Sequence, residues 1–192
     1  ADVPKAALPE FYFNKGYTLF NKKKYPQAKV LLENVKFNPK YESDAHYYLG
    51  HIAYQLEDYA EASNSFTQVS KKDQMENLGY FQVEMNFKLA RFEKAIELGE
   101  KEIQNQAGDN FSELSKIIGE SYFNIGQYGK ALIHLKNYKG KMGKWTHADF
   151  YQLGYAHYEA GNSSQAIEQF NKIISKKDKL AQNAYYYLAE CY

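Results

Sequence analysis

Five histidines and one cysteine are, together with the carboxylates, the residues of this 192-residue chain best suited to bind a metal or to act as a nucleophile or base. His46 and His51 are five residues apart, which places them off a common helical face, and no Cys/His spacing suits zinc. Cys191 stands alone, so neither a disulfide framework nor a multi-cysteine metal site is expected. The chain has no nucleophile elbow, P-loop or dinucleotide-binding fingerprint. We therefore expect no catalytic residues, no cofactor and no metal.

Charge and composition exclude two further classes of protein. The chain has 24 Lys and Arg against 23 Asp and Glu, a formal net charge of +1, whereas a nucleic-acid binder normally has a clear basic excess. No apolar run is long enough to span a membrane. Aromatic residues are abundant instead, with 19 Tyr and 12 Phe. Tyrosine suits interfaces because it offers a large area, little rotamer entropy and a hydroxyl.

A recurring block of residues indicates the elements that carry these tyrosines. A glycine is followed twelve positions later by an alanine in four places: Gly16 and Ala28, Gly50 and Ala62, Gly119 and Ala131, Gly154 and Ala166. With a degenerate copy at Ala95, the alanines are 34, 33, 36 and 35 residues apart. Apolar residues at three-to-four spacing in each half-unit predict helices. The short turns at Glu57-Asp58 and Gly126-Gln127 predict antiparallel neighbours.

This block resembles the tetratricopeptide repeat (TPR), a unit of about 34 residues that forms a helix–turn–helix. The resemblance covers nearly the whole chain and is clearest at Tyr48–Tyr54 followed by Asp58–Ala62. It implies an all-α, right-handed α-solenoid of stacked antiparallel helix pairs, with five TPR-like repeats plus a half repeat in one domain over residues 1–192. The repeat style and the Lys, Asn and Tyr usage resemble large bacterial cell-envelope TPR proteins. That similarity favours the periplasm or cell envelope, with the cytoplasm as the alternative.

The repeats are predicted at residues 9–42, 43–75, 76–111, 112–146 and 147–181, with the half repeat at 182–192. First helices are predicted at 10–22, 43–56, 74–88, 110–125, 147–159 and 180–192, and second helices at 25–37, 59–70, 92–106, 128–138 and 163–175. Helix N-caps are expected at Asp58, Asn162 and Asp109. Val83 replaces the glycine of the third repeat, so the register there depends on Phe92–Ala95. The chain stops halfway through a unit, as expected of a fragment of a longer array or of an end that a partner covers.

The resemblance also implies where a partner binds, because the first helices of TPR arrays line a concave groove. The groove-facing positions 2, 5, 9, 12 and 13 of the units hold twelve aromatics, seven carboxylates and two lysines, a formal charge of −5. Aromatics at position 12, such as Tyr54 and Tyr158, are expected to pack against the adjacent unit. The candidate partner-binding residues are Phe13, Tyr17, Tyr47, His51, Tyr80, Glu84, Glu120, Tyr151, Tyr155 and Tyr186.

The sequence thus predicts a non-catalytic protein-interaction scaffold that binds a partner segment in an acidic, aromatic groove. The lysine/asparagine clamp with which one TPR subclass holds a chaperone's terminal carboxylate is absent. An acidic groove favours a basic or aromatic-rich protein or peptide, and neither a nucleic-acid partner nor membrane insertion is expected. Two alternatives remain. One is a glycan-binding surface, and the other is a spacer or dimerisation module of a larger protein, with the C-terminal helix as a homo-oligomer contact.

Overall fold

The computed structural model describes residues 5–70, 77–105 and 110–192, and every regular element in those ranges is a helix. After a short 3-10 helix, Lys5–Ala7, the first helices of the units are α1 (Leu8–Asn21), α3 (Glu42–Gln55), α5 (Leu78–Lys88), α7 (Phe111–Asn124), α9 (His147–Glu159) and α11 (Lys179–Glu190). The second helices are α2 (Tyr25–Glu33), α4 (Tyr59–Thr67), α6 (Phe92–Asn105), α8 (Tyr128–Leu135) and α10 (Ser163–Asn171). The predicted all-α helical-repeat fold is confirmed. Within the described ranges, every helix is too short or too polar to cross a bilayer.

The chain divides into two compact units, Ala1–Ala90 and Arg91–Tyr192. In the first unit each helix from α1 to α5 packs on the next one in the sequence. In the second unit the same succession runs from α6 to α11. First helices also meet one another, α1 with α3 and α9 with α11. Each unit can therefore bury its apolar faces only by stacking successive helices, as a repeat protein does.

Each repeat glycine lies against a large side chain sixteen residues further along the chain. A methyl group added to the glycine would sit 2.6 to 2.9 Å from that side chain in the pairs Gly16 and Leu32, Gly50 and Phe66, Gly119 and Leu135, and Gly154 and Phe170. The alanine of each repeat is fully buried. The glycine therefore faces the residue four positions beyond the alanine, and its missing side chain is what lets the two helices approach.

Four of the five second helices end three or four residues before their predicted ends, so those predicted ends are wrong. The chain instead tightens into a turn in which a backbone N–H donates to the carbonyl three residues earlier. The residue that donates is a large apolar one that the turn buries: Val35, Val69, Tyr138 and Ile173. Apolar spacing continues past the helix end, which is why the sequence pattern overestimates the length.

The predicted N-caps differ in outcome. Asp58 is confirmed, because its carboxylate accepts a hydrogen bond from the backbone N–H of Glu61 at 3.1 Å. Asn162 precedes α10 but makes no capping hydrogen bond with its side chain, and Asp109 lies outside the described residues. Two caps were missed: Asp178 at the start of α11, and Thr146, which forms a reciprocal capping box at the start of α9.

The turn between the two helices of a repeat has the same backbone conformation in all five places. One residue there has φ between 54° and 75°, in the left-handed region: Lys23, Glu57, Ala90, Gly126 and Gly161. These residues are 34, 33, 36 and 35 positions apart, the same spacing as the alanines. Only two of them are glycines, so the other three turns carry backbone strain.

Candidate functional site

Aromatic residues, most of them on first helices, form two clusters, one in each compact unit. The N-terminal cluster consists of Phe13, Tyr17, Phe20, Tyr47, Tyr48, His51, Tyr54, Tyr80 and Phe81. The C-terminal cluster consists of Phe123, Tyr128, Tyr151, Tyr155, Tyr158, Tyr186 and Tyr187. Eight of the ten predicted contact residues belong to these two clusters. The other two, Glu84 and Glu120, are carboxylates.

In the N-terminal cluster, the rings of one repeat interlock with those of the next. The Tyr48 ring centroid lies 5.1 Å from that of Tyr17 and 5.0 Å from that of Phe20. Phe13 and Tyr17 stack in parallel planes, with centroids 6.5 Å apart. Because the Tyr17 side chain is still 40% exposed, it combines a fixed orientation with an accessible surface.

His51 is enclosed by rings of the same cluster and by Phe66 of α4. The centroids of Tyr47 and Phe81 lie 4.5 and 4.6 Å from the imidazole, and that of Phe66 lies 5.3 Å away. Its Nε2 is buried with no hydrogen-bond partner among the described residues. Burial lowers the pKa of His51 to about 4, so the imidazole is neutral at neutral pH. His51 therefore acts as a packed aromatic residue that holds neighbouring rings in place.

Glu84 brings a carboxylate to the edge of these rings. The Tyr54 hydroxyl lies 3.4 Å from its Oε1, and Tyr80 also hydrogen-bonds to it. Its Oε2 is buried with no hydrogen-bond partner in the described part of the chain. Burial raises the pKa of Glu84, an effect that Lys88 and the two tyrosines oppose. This carboxylate can therefore accept one more donor.

Tyr155 is the centre of the C-terminal cluster. Ring centroids 4.9 to 6.1 Å from its own belong to Phe123, Tyr128, Tyr151, Tyr158 and Tyr187. A hydrogen bond to Glu159, together with burial, raises the pKa of Tyr155. Of the predicted contact residues in this cluster, Tyr151 is half-buried, whereas Tyr186 is 62% exposed. The accessible part of this cluster thus includes Tyr186.

Sequence reasoning missed the aromatics that connect successive repeats. Tyr48, Phe81 and Tyr187 all occupy the sixth position of a repeat, directly after a predicted contact residue. Each packs against positions 9 and 12 of the preceding repeat: Tyr48 on Tyr17 and Phe20, Phe81 on His51 and Tyr54, Tyr187 on Tyr155 and Tyr158. The position-12 aromatics Tyr54 and Tyr158 pack against the adjacent unit as predicted. The signal in the sequence was the recurrence of two adjacent aromatics.

The carboxylate of Glu120 is compensated by a lysine of its own helix. Lys116 Nζ lies 2.5 Å from Asp149 Oδ1 and 3.7 Å from Glu120 Oε1. The same ammonium lies 4.6 Å from the centroid of the Tyr138 ring. The Asp149 side chain is only 3% exposed, and it also accepts hydrogen bonds from Thr146. Burial raises the pKa of Glu120, although Lys116 opposes this. The charge of Glu120 is thus part of an internal ion network.

The histidines and Cys191 are the side chains from which the sequence could build a metal or nucleophile site. Within the described ranges, no group of three His, Cys, Asp or Glu side chains could hold a metal ion. Cys191 is a free thiol that packs against the buried cluster of Ala166, Phe170, Ile173 and Ala184, and burial raises its pKa. The thiol is therefore protonated at neutral pH, which is the less reactive form.

The helix pairs, their spacing and their glycine packing correspond to a known repeat. A family model described as tetratricopeptide repeat matches residues 151–192, and a second one with the same description matches residues 43–71. These two segments are thus tetratricopeptide repeats. A comparison with curated protein sequences finds no match.

Solved structures share the fold of this TPR protein at low sequence identity. YrrB, described as a TPR protein with an unusual peptide-binding site, is 21% identical with a TM-score of 0.72, over 91% of this chain and 90% of that chain. A MamA structure from Desulfovibrio magneticus RS-1 is 17% identical with a TM-score of 0.69, over 88% and 94% of the two chains. A further MamA structure is 17% identical with a TM-score of 0.71, over 92% and 96%. The TPR fold is the architecture of a protein-interaction scaffold.

Proposed function

We propose that this TPR protein is a non-catalytic scaffold that binds a basic segment of a partner protein on the face of its first helices. The contacts are made by accessible tyrosines together with carboxylates beside them. The observation that carries this proposal is Glu84, whose buried Oε2 lacks a donor among the described residues, next to the rings of Tyr54 and Tyr80.

A lysine or arginine of the partner would satisfy the Glu84 carboxylate once the side chains that cover its buried Oε2 move aside. A buried acceptor without a partner costs about 1–3 kcal/mol, and a charge-assisted hydrogen bond from a bound cation would recover part of that. The neighbouring tyrosine rings add a cation–π attraction of about 0.5–2 kcal/mol. Lys88 lies close enough to lower the pKa of Glu84, so the partner's cation would compete with the Lys88 ammonium. This competition favours binding of a peptide segment over binding of a single free amino acid.

The C-terminal cluster offers the same combination of ring and carboxylate. Burial raises the pKa of the Tyr158 hydroxyl, and the negative charges of Glu190 and Glu159 raise it further. Tyr186 stands beside them with most of its side chain exposed. A basic segment would therefore find a tyrosine–carboxylate site in either unit. YrrB, which shares the fold, is described as having a peptide-binding site, and a peptide is also the ligand proposed here.

Selection from a displayed library of random peptides tests this proposal because it assumes no particular partner. Selected peptides should contain Lys or Arg next to an aromatic residue. They should bind at least tenfold more weakly to the variant Tyr17→Ser/Glu84→Gln/Tyr186→Ser, which changes two exposed rings and one charge.

The matched control is Val30→Ser/Ile133→Ser. These two exposed apolar residues lie on second helices, with side chains 64% and 65% exposed. Peptide affinity should be unchanged in this control, as should the melting temperature. Peptides without basic residues, or equal loss of affinity in both variants, would contradict the proposal.

A further inference from the structure

A cleft opens on the side of α3 that is opposite to its predicted groove positions. Glu42, His46 and Leu49 line it from α3. At 100° per residue this row lies roughly 165° around the helix axis from the row of Asp44, Tyr47 and His51. Lys36 and Phe37 line the cleft from the turn after α2, and Glu61 and Gln68 line it from α4 and its C-terminal end. The cleft is thus built entirely from the first compact unit.

A buried imidazole with one unpartnered nitrogen lines this cleft. His46 is only 9% exposed, and its buried Nδ1 has no hydrogen-bond partner among the described residues. Burial lowers the pKa of His46, with Lys36 acting in the same direction and the carboxylates of Glu42, Glu33 and Glu61 opposing. At neutral pH the ring is therefore uncharged and retains one nitrogen that can accept a hydrogen bond.

The cleft has an excess of negative charge. Neither Glu42 nor Glu61 pairs with a lysine or arginine in the described part of the chain, although Glu61 Oε1 accepts a hydrogen bond from the Ser65 hydroxyl at 3.4 Å. The one cation among the described lining residues, Lys36, is held by Glu33 at 2.5 Å and lies over the ring of Phe37. That ring is 79% exposed. Two carboxylates, a neutral acceptor and an accessible aromatic surface therefore stand together.

We propose that this cleft binds an arginine side chain of a partner protein. A guanidinium is planar, donates five N–H groups to paired carboxylates and stacks on aromatic rings, which an ammonium does less well. The cleft holds about 210 Å³, less than the roughly 300–1,000 Å³ of a site that encloses a whole small molecule. One long side chain matches that size. The site is independent of the face of the first helices and of the function proposed for it.

Titration with acetyl-arginine amide, followed through the NMR signals of the His46 ring, tests the site. The neutral isostere acetyl-citrulline amide and sodium chloride at equal ionic strength are the reference ligands. Acetyl-arginine amide should produce a saturable shift that neither reference produces. Glu61→Gln and Phe37→Ser should each weaken that binding at least fivefold, whereas the control Glu93→Gln, an exposed carboxylate on α6, should leave it unchanged.

Several outcomes would overturn the proposal. These are equal shifts with the citrulline compound, no saturation, or unchanged affinity in Glu61→Gln and Phe37→Ser. Acetyl-lysine amide binding as tightly as the arginine compound would also overturn it, because the site would then respond to any cation. Phe37 and Glu42 are exposed, so Phe37→Ser and Glu42→Gln should fold normally and keep the test decisive if Glu61→Gln proves unstable.

Discussion

The backbone of Gly50 lies directly against the ring of Phe66, so that a methyl group at Gly50 would be 2.6 Å from both Cδ1 and Cε1. The Phe66 ring is fully buried, and on its other sides it meets the rings of His51 and Phe81, at 5.3 and 5.6 Å. The packing of α3 against α4 is thereby linked to the N-terminal aromatic cluster. A change at this glycine should affect both.

Substitution of Gly50 by alanine should lower the free energy of unfolding by about 1–3 kcal/mol, the usual result of overpacking a core. The ring cannot move away without displacing its neighbours. The matched control is Gly129→Ala in α8, where nothing lies within 4 Å of the added methyl group. That change should raise stability by about 0.5–1 kcal/mol through helix propensity alone. Thermal unfolding followed by circular dichroism measures both, and equal effects of the two changes would contradict the packing argument.

Replacement of Glu57 by glycine should stabilise the protein by about 1 kcal/mol, because Glu57 has φ of 59° in the turn between α3 and α4. The reverse change, Gly126→Ala, should destabilise by a similar amount, since Gly126 has φ of 74° with open space around it. Urea unfolding of the two variants checks the pair. A destabilised Glu57→Gly would show that its side chain makes a contact that outweighs the strain.

Removal of the Lys116 ammonium should destabilise the second compact unit by about 2–3 kcal/mol. This is less than the loss expected when a fully buried ion pair is broken, because the Lys116 side chain is still 27% exposed. Lys116→Met leaves Asp149 and Glu120 partly buried without their cation. The control Lys94→Met breaks an exposed pair with Glu97 and should change stability by less than about 0.5 kcal/mol.

The effect of Lys116→Met should depend on pH. Burial raises the pKa of Asp149, but hydrogen bonds from Lys116 and Thr146 outweigh this, so its folded pKa lies below the unfolded value. Such a carboxylate contributes stability above its unfolded pKa and loses it as the pH falls through the folded pKa. The difference between wild type and variant should therefore shrink in acid. A difference that is the same at all pH values would rule out the ion pair as its cause.

Much of the fold follows from the period of the sequence. The glycines and alanines fix which residues meet inside a repeat, and the same spacing locates the left-handed turn residues. Ala62, for example, is buried and Asp58 caps the N-terminus of α4, as their positions in the repeat indicate. These features are predictable because they depend on residues within one helix pair.

The arrangement of the candidate site was less predictable, because it depends on contacts between repeats. Phe81 of the third repeat packs on His51 and Tyr54 of the second repeat. The groove-facing positions alone do not include this contact. Lys116 occupies one of those groove-facing positions, yet it pairs with Asp149, thirty-three residues away. Period alone gives the face of a helix, while the direction of long side chains decides which of them remain accessible.

Substitution of Glu84 by glutamine should raise the free energy of unfolding at pH 7 by about 1 kcal/mol, because the amide has no charge that burial can destabilise. Burial raises the pKa of Glu84 in the folded state. An acid of this kind contributes stability below its unfolded pKa and loses it as the pH rises through its folded pKa. Glutamine does not ionise, so the two proteins should be equally stable near pH 4 and diverge as the pH rises.

The same variant should bind basic peptides more weakly, because the carboxylate that destabilises the free protein is the one that a partner's cation would satisfy. Tyr54→Phe is the companion variant: it removes the hydroxyl 3.4 Å from Oε1 while keeping the ring, so it should raise the cost of ionising Glu84 further. Unfolding curves between pH 4 and 8, paired with peptide affinities, separate the effects. Parallel pH curves for wild type and Glu84→Gln would show that Glu84 is already satisfied in the free protein, and a gain in stability without a loss of affinity would place the peptide elsewhere.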